Sequence, residues 1–340
     1  WIGYTEPNAT STDAITEMAK DSTATIDMAA SGPTKLDAGV NAAKSGSLQY
    51  KGGLLADTLT FASGLAQNGS VSFDMSAGGA NTLTMGQAAV SGSLSYTGGA
   101  NTDTITTGGG SGSTNGVMSF DMSNGGNNTL NLGPGNFPKT FSYIGGPGTD
   151  TLIAATAFMV FGSHSTVFDM TDGGANTLTF NGAAIGASGT KLDYQGGAGA
   201  DKILASANFL YGVDTSTVSL GAGADELSIA GDTHVSSPLS TITVDLGNDT
   251  DGDKIEFHGY VNAGSYPIST YTIQNFKVGD DSILLGLPTA TSQVVLNVAS
   301  GDTQVTYSAF GSPTVQFTIE GVALTAANLS LTGGGDVLIS

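Results

Sequence analysis

Residues 70–86 read SVSFDMSAGGANTLTMG, and the same phrase returns as VMSFDMSNGGNNTLNLG at 117–133 and STVFDMTDGGANTLTFNG at 165–182. Interleaved with these copies are SLSYTGGANTDTITTG (93–108), TFSYIGGPGTDTLIA (140–154) and KLDYQGGAGADKILA (191–205). Successive copies start about 23 to 26 residues apart, a period that belongs to stacked repeat architectures. Each copy is too short to bury its own apolar face, so its neighbours must supply the core.

Within a copy the grammar is strand, turn, strand. Val71-Ser72-Phe73-Asp74-Met75 alternates apolar and polar side chains with the period of two of a half-buried strand. Gly78-Gly79 then permits a tight turn, and Thr82-Leu83-Thr84-Met85 supplies a second strand. The pattern predicts an all-β chain, a right-handed parallel β-solenoid of about ten rungs over 23–259. At about 4.8 Å per rung the stack is near 50 Å long, with open strands at its ends. Residues 1–22 read as an N-terminal cap, with a short helix over Ser11–Lys20 or an arm, Trp1-Ile2-Gly3-Tyr4, reaching into a second subunit. Residues 260–340 read as a C-terminal antiparallel region, with strands over Thr303–Tyr307 and Val315–Ile319.

Two rung types alternate. In one, Asn81, Asn128 and Asn176 precede the second strand, and Asp74, Asp121 and Asp169 sit earlier; in the other that place is taken by Asp57, Asp103, Asp150 and Asp201. Acid and amide thus take turns up the stack, which relieves the repulsion of carboxylates piled at strand spacing. Asx residues here also serve as turn formers that bond their own backbone.

The acid rungs carry a motif. Gly196-Gly197-Ala198-Gly199-Ala200-Asp201-Lys202-Ile203 and Gly145-Gly146-Pro147-Gly148-Thr149-Asp150-Thr151-Leu152 fit G-G-x-G-x-D-x-U, and Gly221-Ala222-Gly223-Ala224-Asp225-Glu226-Leu227 keeps its core. This resembles the repeat of RTX (repeats-in-toxin) proteins, and the resemblance implies turns that ligate Ca²⁺ through Asp carboxylates and freed carbonyls. The rungs are longer than RTX nonapeptides, and the copies ending at Asp103 and Asp57 lack the third glycine. Residues 244–253, VDLGNDTDGD, place carboxylates at alternate positions around a glycine, so hard oxygens can converge on one ion. The candidate metal ligands are Asp245, Asp249, Asp251, Asp253, Asp225, Asp201, Asp150, Asp103 and Asp280. A solvated acidic turn is the competing reading of the cluster, and a plain Gly-Asp-Asp turn that of Asp280.

Composition limits the partners. Nine Lys+Arg stand against 29 Asp+Glu, for a net charge of −20, so nucleic acid and anionic membranes are poorly matched. Divalent cations are the natural counter-charge. There is no cysteine, which excludes thiolate metal sites and suits an exported protein. No apolar run approaches the roughly 18 residues of a membrane helix. His164, His234 and His258 are the three histidines, far apart and outside any HExxH pattern. Nothing pairs acid with base at a defined separation, so no enzyme is expected and no catalytic residue is assigned.

Residues 270–285, TYTIQNFKVGDDSILL, are similar to the block that follows the repeats in RTX exports, and the ending Asp336-Val337-Leu338-Ile339-Ser340 is similar to a type I secretion signal. The resemblance implies export from a Gram-negative cell to its surface or surroundings. The expected role is a Ca²⁺-stabilised structural subunit that assembles with itself, head to tail, into a filament, surface layer or biofilm matrix. The alternative is a module of a larger adhesin, with small-residue faces such as Thr104–Thr114 set against cell-surface polysaccharide or a host.

Overall fold

The computed structural model describes residues 3–4, 12–15, 23–29, 32–40, 45–63, 68–87, 91–108, 116–136, 138–154, 158–159, 165–181, 191–205, 215–230, 241–258, 270–286, 293–309 and 312–340. The alternation in the repeat becomes strand geometry directly. Strand Ser70–Asp74 buries Val71 and Phe73 and turns Ser70, Ser72 and Asp74 outward. The chain then turns through Gly78 and Gly79, both at positive φ (131° and 84°), a region that costs glycine nothing. Strand Thr82–Gln87 follows and buries Leu83 and Met85.

Among the described residues, first strands stack into a 15-stranded sheet and second strands into a 14-stranded sheet. From Thr23 to Gly286 every rung pairs in parallel with the rungs before and after it. Val71 stands against Leu48 and Leu94, and Leu83 against Leu59 and Ile105. The protein is a parallel β-solenoid, all-β, with no α-helix among the described residues.

The core between the sheets is built from columns. One runs Tyr50, Phe73, Tyr96, Phe120, Tyr143, Phe168 and Tyr194, each at most 1% exposed and each in register with the next. A second column, at the corner leaving the first sheet, runs Gly52, Met75, Gly98, Met122, Gly145, Met170 and Gly196. The two alternate in step, Tyr with Gly and Phe with Met. A fully buried Phe or Met contributes about 1.5–3 kcal/mol relative to exposure, so these columns carry much of the stack's stability.

Both ends differ from the sequence expectation. Thr12–Ile15, inside the expected helix, is a strand paired in parallel with Lys35–Val40. Gly3–Tyr4 pairs with Thr25 and Ile26 of its own chain rather than serving as a free arm. Pairing Thr12–Ile15 onto the existing sheet edge satisfies backbone groups that a lone helical turn leaves open. Trp1 and Ile2 lie outside the described residues. At the other end the parallel stack runs past 259, because Thr270–Gln274 and Ser282–Gly286 add one more rung in register.

Beyond that rung the first sheet gains one more parallel strand before its direction reverses, and the second sheet reverses at once. Ser312–Ile319 adds to the first sheet in parallel, and Asp302–Ala309 and then Val294–Ala299 follow as an antiparallel meander. Val337–Ile339 adds antiparallel to Ser282–Gly286, and Leu329–Leu331 pairs outside it. Val337 and Ile339 are fully buried, so the apolar ending of the chain is an integral strand of the fold.

Candidate functional site

The residues picked out before each second strand form one continuous ladder through the interior. Thr34, Asp57, Asn81, Asp103, Asn128, Asp150, Asn176, Asp201, Asp225, Asp253 and Asp281 succeed one another, one per rung, all buried. The backbone N–H of each donates to Oδ1 of the next, giving ten hydrogen bonds of 2.6–3.0 Å. A buried N–H without a partner costs about 1–3 kcal/mol, so the ladder satisfies donors that the corner between sheets would otherwise strand.

Acid and amide divide the remaining work. On the amide rungs Asn81 Nδ2 donates to the carbonyls of Gly78 and Gly79 and to Asp103 Oδ1, and Asn128 Nδ2 donates to the Gly125 carbonyl. On the acid rungs the second oxygen accepts instead: Asp57, Asp103 and Asp150 take the N–H of Gly53, Gly99 and Gly146 at 3.3–3.4 Å. Asp201 Oδ2 accepts the hydroxyl of Tyr194 at 2.8 Å. Tyr50, Tyr96 and Tyr143 hold the same place beside Asp57, Asp103 and Asp150, and burial followed by the neighbouring carboxylate pushes their phenols above the usual range. Burial likewise pushes Asp57, Asp103, Asp150 and Asp201 up, and the N–H donors pull them partly back.

The alternation breaks after Asn176. Asp201, Asp225, Asp253 and Asp281 follow without an amide between them, and the tyrosine column gives way to Val218, Val244 and Ile273. Asp225 Oδ2 is buried and has no hydrogen-bond donor. Burial, reinforced by the charges of Asp253, Asp201 and Asp249, pushes Asp225 up to about 8. Burial together with Asp281, Asp249 and Asp251 pushes Asp253 up to about 7. Asp281 closes the ladder, its Oδ2 accepting the N–H of Lys277 at 2.7 Å.

The sequence-predicted ligands therefore fall into two sets. Asp103, Asp150, Asp201, Asp225 and Asp253 stand in the buried ladder. Asp245, Asp249, Asp251 and Asp280 lie at or near the surface. Asp245 Oδ1 accepts from the Gly247 N–H and from Asn275 Nδ2, and Asp249 accepts from the N–H groups of Asp251 and Gly223. Asp280 is an exposed turn residue whose N–H donates to the Lys277 carbonyl. Among the described residues no three acidic or histidine side chains converge as a metal cage. The test of fit for a cation therefore rests on Asp225 Oδ2, among the described residues the fully buried carboxylate oxygen without a hydrogen-bond partner. Sequence reading weighed Asp281 together with Asp280, as an ion ligand or a plain Gly-Asp-Asp turn, and did not place it in the ladder, although its spacing after Asp253 repeats the ladder interval.

Of the histidines, His258 is described. It joins Lys254 in flanking Glu256 on the outer face of the second sheet, and Glu256 is held low by these two despite its partial burial. That is a surface ion cluster; His164 and His234 lie outside the described residues. No helix among the described residues is long and apolar enough to cross a membrane. Compared with protein-family models, with curated proteins and with solved structures, the chain matches none of them.

Proposed function

We propose that this chain is a secreted structural protein, a Ca²⁺-stabilised solenoid rod of the RTX type that assembles with itself into an extracellular filament, surface layer or matrix. The observation that carries the reading is the uninterrupted ladder. A ladder of backbone-to-side-chain hydrogen bonds running from Thr34 to Asp281 is a device for stiffness along one axis, and open sheet edges at its ends invite the next subunit. Ca²⁺ acts at the acid-rich end, where Asp225 Oδ2 lacks a donor and Asp249 and Asp253 add their charge. Hard oxygens and a repulsive cluster are what such an ion relieves. Asp103, Asp150 and Asp201, engaged by N–H and phenol donors, serve the fold. The −20 charge and the absence of cysteine fit a chain exported unfolded, at low Ca²⁺, and folded outside.

A second reading, a module that binds neutral polysaccharide, draws on one face of the second sheet. Over six consecutive rungs its outward positions are Thr58, Thr60, Thr82, Thr84, Thr104, Thr106, Thr129, Asn131, Thr151, Ile153, Thr177 and Thr179, without a single charge in a strongly acidic protein.

Electron microscopy of the chain in EDTA and after millimolar Ca²⁺ tests the assembly reading. Ordered polymers appearing with Ca²⁺ are the expected result. Folded, dispersed monomers at all Ca²⁺ levels contradict it and favour the binding module, and ordered assembly in EDTA removes calcium from the account.

A further inference from the structure

The rod's C-terminal end has a directional property that the repeat alone does not give. In the first sheet two antiparallel steps follow Ser312–Ile319, and two reversals restore the original sense, so Val294–Ala299 runs in the rung direction. In the second sheet Val337–Ile339 reverses and Leu329–Leu331 reverses again, with the same result. These two strands are the outermost of their sheets. Neither contains a charged residue or proline, the guards that solitary edges carry against pairing. Both expose apolar side chains, Val295, Val298 and Leu331 at 57%, 46% and 52%, over the half-buried Leu296 and Leu329.

At the opposite end Gly3–Tyr4 and Thr12–Ile15 are the outermost strands among the described residues, one per sheet, and they too run in the rung direction. We propose that the C-terminal end is a socket for the first rung of a second copy: Val294–Ala299 takes that copy's Gly3–Tyr4, and Leu329–Leu331 takes its Thr12–Ile15, both in parallel. A lone strand fits one edge; a solenoid end of matching direction fits both at once, and the contact is heterologous, so it propagates. The inference rests on the assembly reading above and names its contact. Among the described residues the first sheet outruns the second by one strand, so the joint is stepped and successive rods meet at an angle. The polymer winds.

The test uses two edge variants, each blocked at one end. Val298→Lys with Leu331→Lys charges both C-terminal edges, and Gly3→Pro with Asp13→Pro blocks the first rung; Val295→Lys replaces the former pair if it fails to fold, as judged by circular dichroism. Sedimentation of each alone is expected to show monomers, with the concentration needed for assembly raised at least about tenfold. An equimolar mixture then forms heterodimers and nothing longer, because each partner retains one competent end. A lysine variant that polymerises like the parent chain, a parent that stops at dimers, or a mixture that stays monomeric overturns the socket. A parent chain that never associates overturns the assembly reading and the socket with it.

Discussion

Tyr194 donates its hydroxyl hydrogen to Asp201 Oδ2 at 2.8 Å, within the core of a single rung. Seven residues separate the two, and the same interval joins Tyr50 to Asp57, Tyr96 to Asp103 and Tyr143 to Asp150. Phenylalanine rungs carry Asn instead. Residue types are therefore paired across the core from Asp57 to Asp201: a phenol stands on each acid rung, bonded at Tyr194 and without a hydrogen-bond partner at Tyr50, Tyr96 and Tyr143, and a plain ring stands on each amide rung, where Asn81 and Asn128 give their amides to turn carbonyls.

Tyr194→Phe should lower stability by about 1.5–3 kcal/mol, the value of a buried hydrogen bond to a charged acceptor. Phe168→Tyr, which places a hydroxyl on an amide rung next to Met170, should cost at least as much through overpacking and an unpaired polar atom. Urea denaturation of both variants checks this. Equal stability of Phe168→Tyr and the parent would break the matching rule.

The ladder makes a sharper prediction. Asp150→Ala removes the acceptor of the Asn128 and Gly146 N–H groups and should cost about 2–4 kcal/mol. Asp74→Ala removes an exposed turn acceptor for Ser76 and should cost under about 1 kcal/mol. Thermal melts of the pair separate buried ladder acids from surface turn acids.

Glycine at the corner is set by space. A Cβ on Gly98 lies 2.7 Å from Met122 Sδ and 2.8 Å from Asp103 Oδ2. Gly98→Ala should destabilise by about 1–3 kcal/mol. Adding Met122→Ala should recover part of that loss, a coupling that a double-mutant cycle measures.

Much of this was legible in the chain. The alternation of Val71, Phe73 and Met75 and the period of the copies give the sheets and the solenoid, because burial on one face forces period two and short rungs force stacking. The Asn81/Asp103 alternation marked the ladder column. Its hydrogen-bond partners were not legible, since an Asx that binds a neighbouring rung and one that binds an ion share the same spacing. The strand at Thr12–Ile15 was obscured by a plausible helix start, and only the waiting edge of Lys35–Val40 decides it.

The acid run sets the pH response. Asp225 and Asp253 have folded pKa values of about 8 and about 7, raised above the unfolded carboxylate value of about 3.9. The fold binds the extra protons, so their contribution is fully present below about pH 4 and is lost as pH rises through 7 to 8. Asp225→Asn should therefore flatten the fall in stability between pH 5 and 8. At pH 8 millimolar Ca²⁺ should stabilise the parent more than this variant. Melting curves at the two pH values, with and without Ca²⁺, read both effects, and an unchanged pH slope in Asp225→Asn contradicts the assignment.

The central claim is a rod that continues itself end to end. Cryo-electron microscopy of the Ca²⁺ assemblies measures it directly. With 15 strands described in the longer sheet at about 4.8 Å each, the account predicts a winding filament one rod wide, repeating about every 70 Å along its contour, with strands stacked along its length. Rods packed side by side, or a filament whose subunits meet away from Val294–Ala299 and Leu329–Leu331, would contradict it.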